Sequence, residues 1–332
     1  MKKLFKGKKI LVTGGTGSFG HTIVNRLMLE NPNEIRIFSR DEKKQYDMQH
    51  QYRNYNKLRF IVGDVRNKYS LIDAMRGIDI VFHAAALKQV PSCEYNPFEA
   101  VLTNTIGAEN VIEAALFNNV EKVIAISTDK AVEPVNVMGM TKAIQERLFT
   151  TANVYREGKR TIFSCVRYGN VLGSRGSVIP VFRKQIDSNQ NLTITNKAMT
   201  RFILTLNDAI DLVFKSAEIS VGGEIFVLKI PAHSVIDLAQ VMIDASSKKL
   251  KIIETGIRPG EKIHETLVSA TESVRTIIKN NLFIILPQVN INETEKKYKN
   301  FVNKNLFRFS SDNAEQLTKT QLKIMLKKEN WI

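Results

Sequence analysis

The 332-residue chain has two cysteines, one tryptophan and five histidines, and each scarcity removes a class of protein. Cys93 and Cys165 stand far apart, each inside an apolar stretch, so a disulfide-stapled scaffold is out and two reduced, buried thiols are expected. No His, Cys and carboxylate cluster occurs at ligand spacing, so no metal is expected. No window approaches the roughly 20 apolar residues of a membrane-spanning helix. The basic start imitates the charged end of an export signal, yet the apolar run behind it stops at Gly14-Gly15, too soon for such a signal. A globular protein of the cytoplasm, away from membranes, is the expectation, and 43% apolar residues can bury one large core or two unequal ones.

The charge is one-sided, with 48 Lys and Arg against 33 Asp and Glu, a net +15. Polyanions bind such chains when the charge is gathered into a stripe. Here the lysines are scattered, with the densest runs at the two ends, Lys2 to Lys9 and Lys296 to Lys328. No nucleic acid is therefore expected as a partner. An anionic nucleotide ligand accounts for internal arginines, and solvated faces account for most lysines.

Short runs rich in Val and Ile recur at residues 9–14, 34–39, 58–62, 78–82, 120–126 and 161–166, separated by helix-length segments. This is the pattern of parallel strands with crossover helices, and it predicts an α/β fold, a Rossmann doubly wound parallel sheet over residues 1–168. From Gly169 the rhythm breaks into loops, a strand-like 192–195, a helical 206–220, a strand near 224–228 and a Lys/Asn-rich end. Residues 169–332 are read as a smaller C-terminal substrate-binding domain, with 206–228 packing back on the first.

Behind the first strand stand Gly14, Thr16, Gly17, Ser18, Phe19 and Gly20, the glycines spaced three apart. In a strand-to-helix turn the first glycine allows the tight bend, the second lets backbone approach a pyrophosphate and the third packs helix on strand. At the end of the second strand an acidic residue would select NAD. This chain has Ser39-Arg40, with Lys43 or Lys44 near, a set suited to a 2′-phosphate and hence to NADP, although Asp41 works against it. Asp64 and Val65 end the third strand and would bracket the adenine. Ala84, Ala85 and Ala86 end the fourth and let the cofactor pass close.

The fifth strand runs into Thr128-Asp129-Lys130, and a helical stretch near Met138 carries Met138-x-x-x-Lys142. Positions four apart share a helix face, so Lys142 can reach the nicotinamide ribose and favour loss of a neighbouring hydroxyl proton. Adjacent side chains of a strand face opposite ways, so Asp129 and Lys130 reach one ligand only if the strand has ended by then.

At this point the chain resembles the extended short-chain dehydrogenase/reductase superfamily, whose pattern is Tyr-x-x-x-Lys with a Ser or Thr nearby. The departure is Met138 at the Tyr position, which cannot exchange a proton. Blocks at 13–20, 38–43, 84–91, 127–131, 166–171, 174–180, 199–202 and 258–262 make the resemblance narrow: they look like the inverting UDP-N-acetylglucosamine 4,6-dehydratases, in the branch with Met before Gly-x-x-Lys. Past about Ala270 the match is loose. The resemblance implies a redox-neutral cycle: NADP takes hydride from C4 of the sugar, water leaves C5 and C6, and the hydride returns to C6. It implies Lys130, kept partly neutral, as the base at C5, and Asp129, held protonated, as the acid for the C6 hydroxyl. Thr128 and Lys142 would act on the C4 hydroxyl in place of tyrosine. Lys88, Asn170, Arg201, Arg258 and Glu261 would hold UDP-N-acetylglucosamine, and a homo-oligomer is suggested. The alternatives are a UDP-sugar 4-epimerase and a catalytically silent NADP-binding protein.

Overall fold

A computed structural model describes residues 4–156, 158–174, 176–301 and 305–332. Its centre is a nine-stranded sheet. The parallel strands are β1 (Lys9–Thr13), β2 (Glu34–Ser39), β3 (Leu58–Val62), β4 (Ile80–His83), β5 (Lys122–Thr128), β6 (Ile162–Tyr168) and β7 (Ile225–Leu228), and two antiparallel strands follow, β8 (Thr276–Lys279) and β9 (Leu282–Ile285). Their spatial order is β8-β9-β7-β6-β5-β4-β1-β2-β3. The reversal of strand order between the parallel neighbours β1 and β4 is the switch point at which doubly wound sheets open a ligand crevice.

The central strands are apolar along their whole length because both faces are covered: Ile10, Leu11 and Val12 of β1 and Val123, Ile124 and Ala125 of β5 are fully buried. Helices α1 (Ser18–Leu29) and α6 (Leu206–Ile219) pack together on one side. On the other, α3 (Lys68–Ala74), α4 (Gly107–Phe117) and α5 (Val137–Thr151) form a second layer. Helix α6 begins at a capping box in which Thr205 and Asp208 satisfy each other's backbone amides.

The chain after 168 does not stay apart from this sheet. Residues 206–228 return to supply α6 and β7, and 276–285 return again as the antiparallel edge, a second return that the sequence reading did not contain. The remainder encloses its own core between helices Val178–Asp187, Val235–Ser246 and Lys319–Lys328. The Lys-rich end belongs to that core, since Leu322 and Leu326, four apart, are fully buried while Lys323, Lys327 and Lys328 face solvent. Cys93 and Cys165 are buried free thiols. Among the described residues no helix is long and apolar enough to cross a membrane.

Candidate active site

A cavity of about 430 Å³ opens over the carboxyl ends of β1, β4, β5 and β6. Its floor is the glycine turn. Gly14 has φ +68°, and a Cβ there would stand 2.8 Å from the Ala85 nitrogen; a Cβ on Gly20 would stand 2.3 Å from the Gly15 backbone. Both positions therefore require glycine. Gly17 precedes α1 with no side-chain cap, so the first-turn amides face the cavity, where an anion satisfies them. Ser18, Phe19, Ala84, Ala86 and Lys88 line the same space.

The cleft continues into a smaller recess of about 120 Å³, lined by Gly14, Ser39, Arg40, Asp64, Val65, Ala85 and Ala86 among others. Thr16 is not a lining residue; its hydroxyl lies 2.9 Å from that of Ser39 and ties the glycine turn to the end of β2. Arg40 is about half exposed and 3.8 Å from Asp64. Burial pushes the Asp64 carboxyl upward, but its bonds with Arg66 outweigh that and hold it below its usual range. Lys43 is not among the residues lining the cleft or the recess: its side chain is 80% exposed and paired with Asp47 one turn on. Asp41 caps α2 (Glu42–Gln51) by accepting from the Lys44 amide and also pairs with the Lys44 ammonium, so both residues are committed locally.

At the other end of the cleft β5 stops at Thr128, and residues Asp129–Ala131 form a single 3₁₀ turn. That turn lets neighbouring side chains converge. Thr128 Oγ1 donates to Asp129 Oδ1 at 2.8 Å, and Lys130 Nζ donates to the same oxygen at 3.0 Å. A residue that the sequence reading missed completes the group: Glu265 Oε1 lies 3.4 Å from Lys130 Nζ. Asp129 is 1% exposed and Glu265 3%, yet Asp129 Oδ2 and Glu265 Oε2 are buried without a hydrogen-bond partner. Such oxygens cost free energy until a donor arrives.

Burial alone would drive the Lys130 ammonium to lose its proton, but Asp129 and Glu265 outweigh burial and raise its pKa. The expectation of a partly neutral Lys130 is thus corrected for the chain without ligand. Lys142 behaves in the opposite way. Desolvation pulls it down to about 8, and it donates to the Ile126 carbonyl at 2.5 Å and to Gln145 at 2.8 Å. His83, pulled down to about 3 by burial and by Lys142, is neutral beneath it. Met138 is buried on the same helix face and packs with Cys93 and Ala100. Thr128, Lys130, Met138 and Lys142 all line the cleft, as do the unassigned Ser127 and Tyr168.

A neighbouring cavity of about 250 Å³ shares Lys130 and Asn170 with the first. Arg201, Arg258, Glu261 and Glu265 line it. Arg201 is held by the carbonyls of Thr200, Lys262 and Ile263. Glu261 accepts from the Arg258 amide, and Asn136, which caps α5, donates to the Gly260 carbonyl. The loop 258–262 is thereby fastened to the helix that carries Met138 and Lys142. The π turn Val101–Ile106 does similar work, for its Asn104 binds Leu87 backbone and the Thr141 hydroxyl, fixing the loop that ends in Lys88.

A family model described as polysaccharide biosynthesis protein matches residues 10–287. The chain belongs to this family. Within it, the chain is 46% identical to the UDP-N-acetylglucosamine 4,6-dehydratase (inverting) of Campylobacter jejuni, over 94% of this chain and 95% of the other. It is 49% identical to the UDP-glucose 4-epimerase of Rickettsia bellii over 85% and 84%. The crystal structure of Pen from Bacillus thuringiensis superposes with a TM-score of 0.92 at 40% identity, covering 98% of each chain. For this family member a dinucleotide fits the cleft on the chain's own terms: two glycines that only glycine can fill, uncapped helix amides, and small side chains along the wall.

Glu265 carried one sequence signal, its place three residues beyond the 258–262 block. Nothing local linked it to Lys130.

Proposed function

We propose that the chain binds NADP and dehydrates UDP-N-acetylglucosamine across C5 and C6 with inversion at C5, giving the L-arabino 4-keto sugar for surface-polysaccharide synthesis in the cytoplasm. The observation that carries this reading is that Lys130, paired with the buried Asp129, stands where the cofactor cleft meets the second cavity. A ketone at C4 acidifies the C5 hydrogen, so elimination needs one base and one acid side by side. Epimerisation at C4 needs neither a base at C5 nor an acid at the C6 hydroxyl.

The cofactor supplies the redox chemistry, a hydride removed from C4 and given back at C6. The protein supplies the proton transfers. Substrate that displaces water weakens an ion pair relative to its neutral form, and the Lys130 proton moves along the 3.0 Å bond to Asp129. One transfer creates both an amine and a carboxylic acid. The amine takes the C5 proton, the acid protonates the departing C6 hydroxyl, water leaves, and the original ion pair is restored. Lys142 and Thr128 act at the C4 hydroxyl; Thr128 must first release Asp129, to which it now donates. Arg201, Arg258 and Lys88 face the diphosphate, Asn170 and Glu261 the uridine and sugar. Arg40 meets the 2′-phosphate, so Arg40→Ala should lower preference for NADP over NAD by about tenfold, the value of one charge-assisted bond at a half-exposed site. The family likeness carries a homo-oligomer with it.

The test is NMR of UDP-N-acetylglucosamine incubated with the protein in deuterated water without added NADPH. A new C6 methyl signal with deuterium at C5 is expected, and the C5 coupling reads the inversion. The 49% identity to a protein named UDP-glucose 4-epimerase favours a second reading, 4-epimerisation. Accumulation of the C4 epimer without a C6 methyl would establish it and overturn the first.

A further inference from the structure

Among the described residues, Glu265 is the carboxylate beside Lys130 that has no part in the proposed dehydration so far. It sits just before the short strand Thr266–Val268, its amide is held by the Ser311 hydroxyl, and one of its oxygens faces Lys130 while the other is buried without a partner. Most buried carboxylates that serve only the fold have both oxygens bonded, and this one borders a cavity. We infer that Glu265 is a third residue of the elimination site, in which Oε1 positions the Lys130 amine and Oε2 accepts a hydroxyl or amide N–H of the sugar.

The geometry assigns the division of labour. Lys130 has three N–H bonds as an ammonium and two as an amine. Lys130 Nζ lies 3.4 Å from Glu265 Oε1, so once its proton has passed to Asp129 the nitrogen stays beside a carboxylate outside its own turn, which limits its rotation. When the amine takes the C5 proton, the Glu265 carboxylate stabilises the positive charge that forms. Lys130 is also faced by Asp129 on its own turn and by the cations Arg201 and Lys262, so Glu265 is the negative charge that a separate element contributes.

This inference rests on the dehydratase reading, and the experiment separates the two. Wild-type protein and Glu265→Gln are followed by NMR for C6 methyl formation and C5 deuterium from pH 5.5 to 9.5, with NADP binding and thermal unfolding measured on both. The Asp129–Lys130 pair must hold one proton to act, as ion pair or as amine and acid, and the Glu265 charge favours uptake of a second. Removing that charge should move the rising, acid-side limb of kcat toward lower pH by about 1 to 3 pH units, with kcat at its plateau at least about tenfold lower and KM raised. A Glu265→Gln protein that binds NADP but keeps the wild-type limb and plateau overturns the role of Glu265. A wild type that makes no C6 methyl overturns the dehydratase reading instead. Should Glu265→Gln not fold, Glu265→Asp decides: it keeps the charge and shortens the reach, so the limb stays and the plateau falls about tenfold, whereas an undiminished plateau overturns the inference.

Discussion

Among the described residues two cations each stand between two carboxylates, one fully buried and one partly exposed to the cavities. Arg167 stands between Glu146 and Glu272, and Lys130 stands between Asp129 and Glu265. In the first group all five guanidinium N–H bonds are used, on Glu146, on Glu272 and on the Leu267 carbonyl, and all four carboxylate oxygens accept. In the second, two carboxylate oxygens have no partner and the cation borders both cavities. The first group welds α5, β6 and the segment after Thr266 into one body, and the second is carried at the edge of that body. A closed network holds a fold, and an open one awaits a ligand. The two groups adjoin in sequence, since Leu267 lies two residues after Glu265.

The largest expected effect tests the open group. Lys130→Ala should lower dehydration by about 10² to 10⁴-fold while NADP binding and thermal unfolding stay near wild type; unchanged turnover would make Lys130 a structural residue like Arg167. The next tests the closed group. Arg167→Met abandons two buried carboxylates and should cost about 3 to 5 kcal/mol by urea unfolding, and a stable, active variant would erase the distinction drawn here. A pH titration of stability sharpens it further. Burial opposes ionisation of Glu272, but Arg167 prevails and holds it at about 2 against an ordinary 4.5. Its contribution is therefore complete above about pH 4.5 and lost as pH falls toward 2, a loss that urea midpoints between pH 5 and 2 should display and that Glu272→Gln should remove. The smallest effect concerns the tie between the groups and the 258–262 loop: Asn136→Ala should cost about 0.5 to 2 kcal/mol as a lost helix cap and raise KM more than it lowers kcat.

The parallel strands were legible because apolar runs bounded by turns report burial on both faces, and the glycine turn because Gly14 and Gly20 have no substitute. Asp129, Lys130, Met138 and Lys142 were legible as a group because all four belong to one strand-turn-helix passage. Strand ends were read early: β5 continues to Thr128 and β6 to Tyr168, since polar residues at a strand's carboxyl end resemble loop. The edge strands β8 and β9 lie among Asn and Lys and went unread. Lys43 was assigned by proximity in sequence, and on α2 its ammonium pairs with Asp47.

What the sequence determined by itself is whatever depends on neighbours along the chain: the α/β alternation, the phosphate-binding turn, the Met in place of Tyr, and the acid beside the amine. What only the tertiary structure decided depends on residues far apart becoming neighbours. Glu265 meets Lys130 because the chain crosses back over the sheet after its second core, and Lys130 is held charged because two carboxylates from different elements outweigh its burial. Charge states follow from summed fields of surrounding groups, and those sums exist only once the chain has folded.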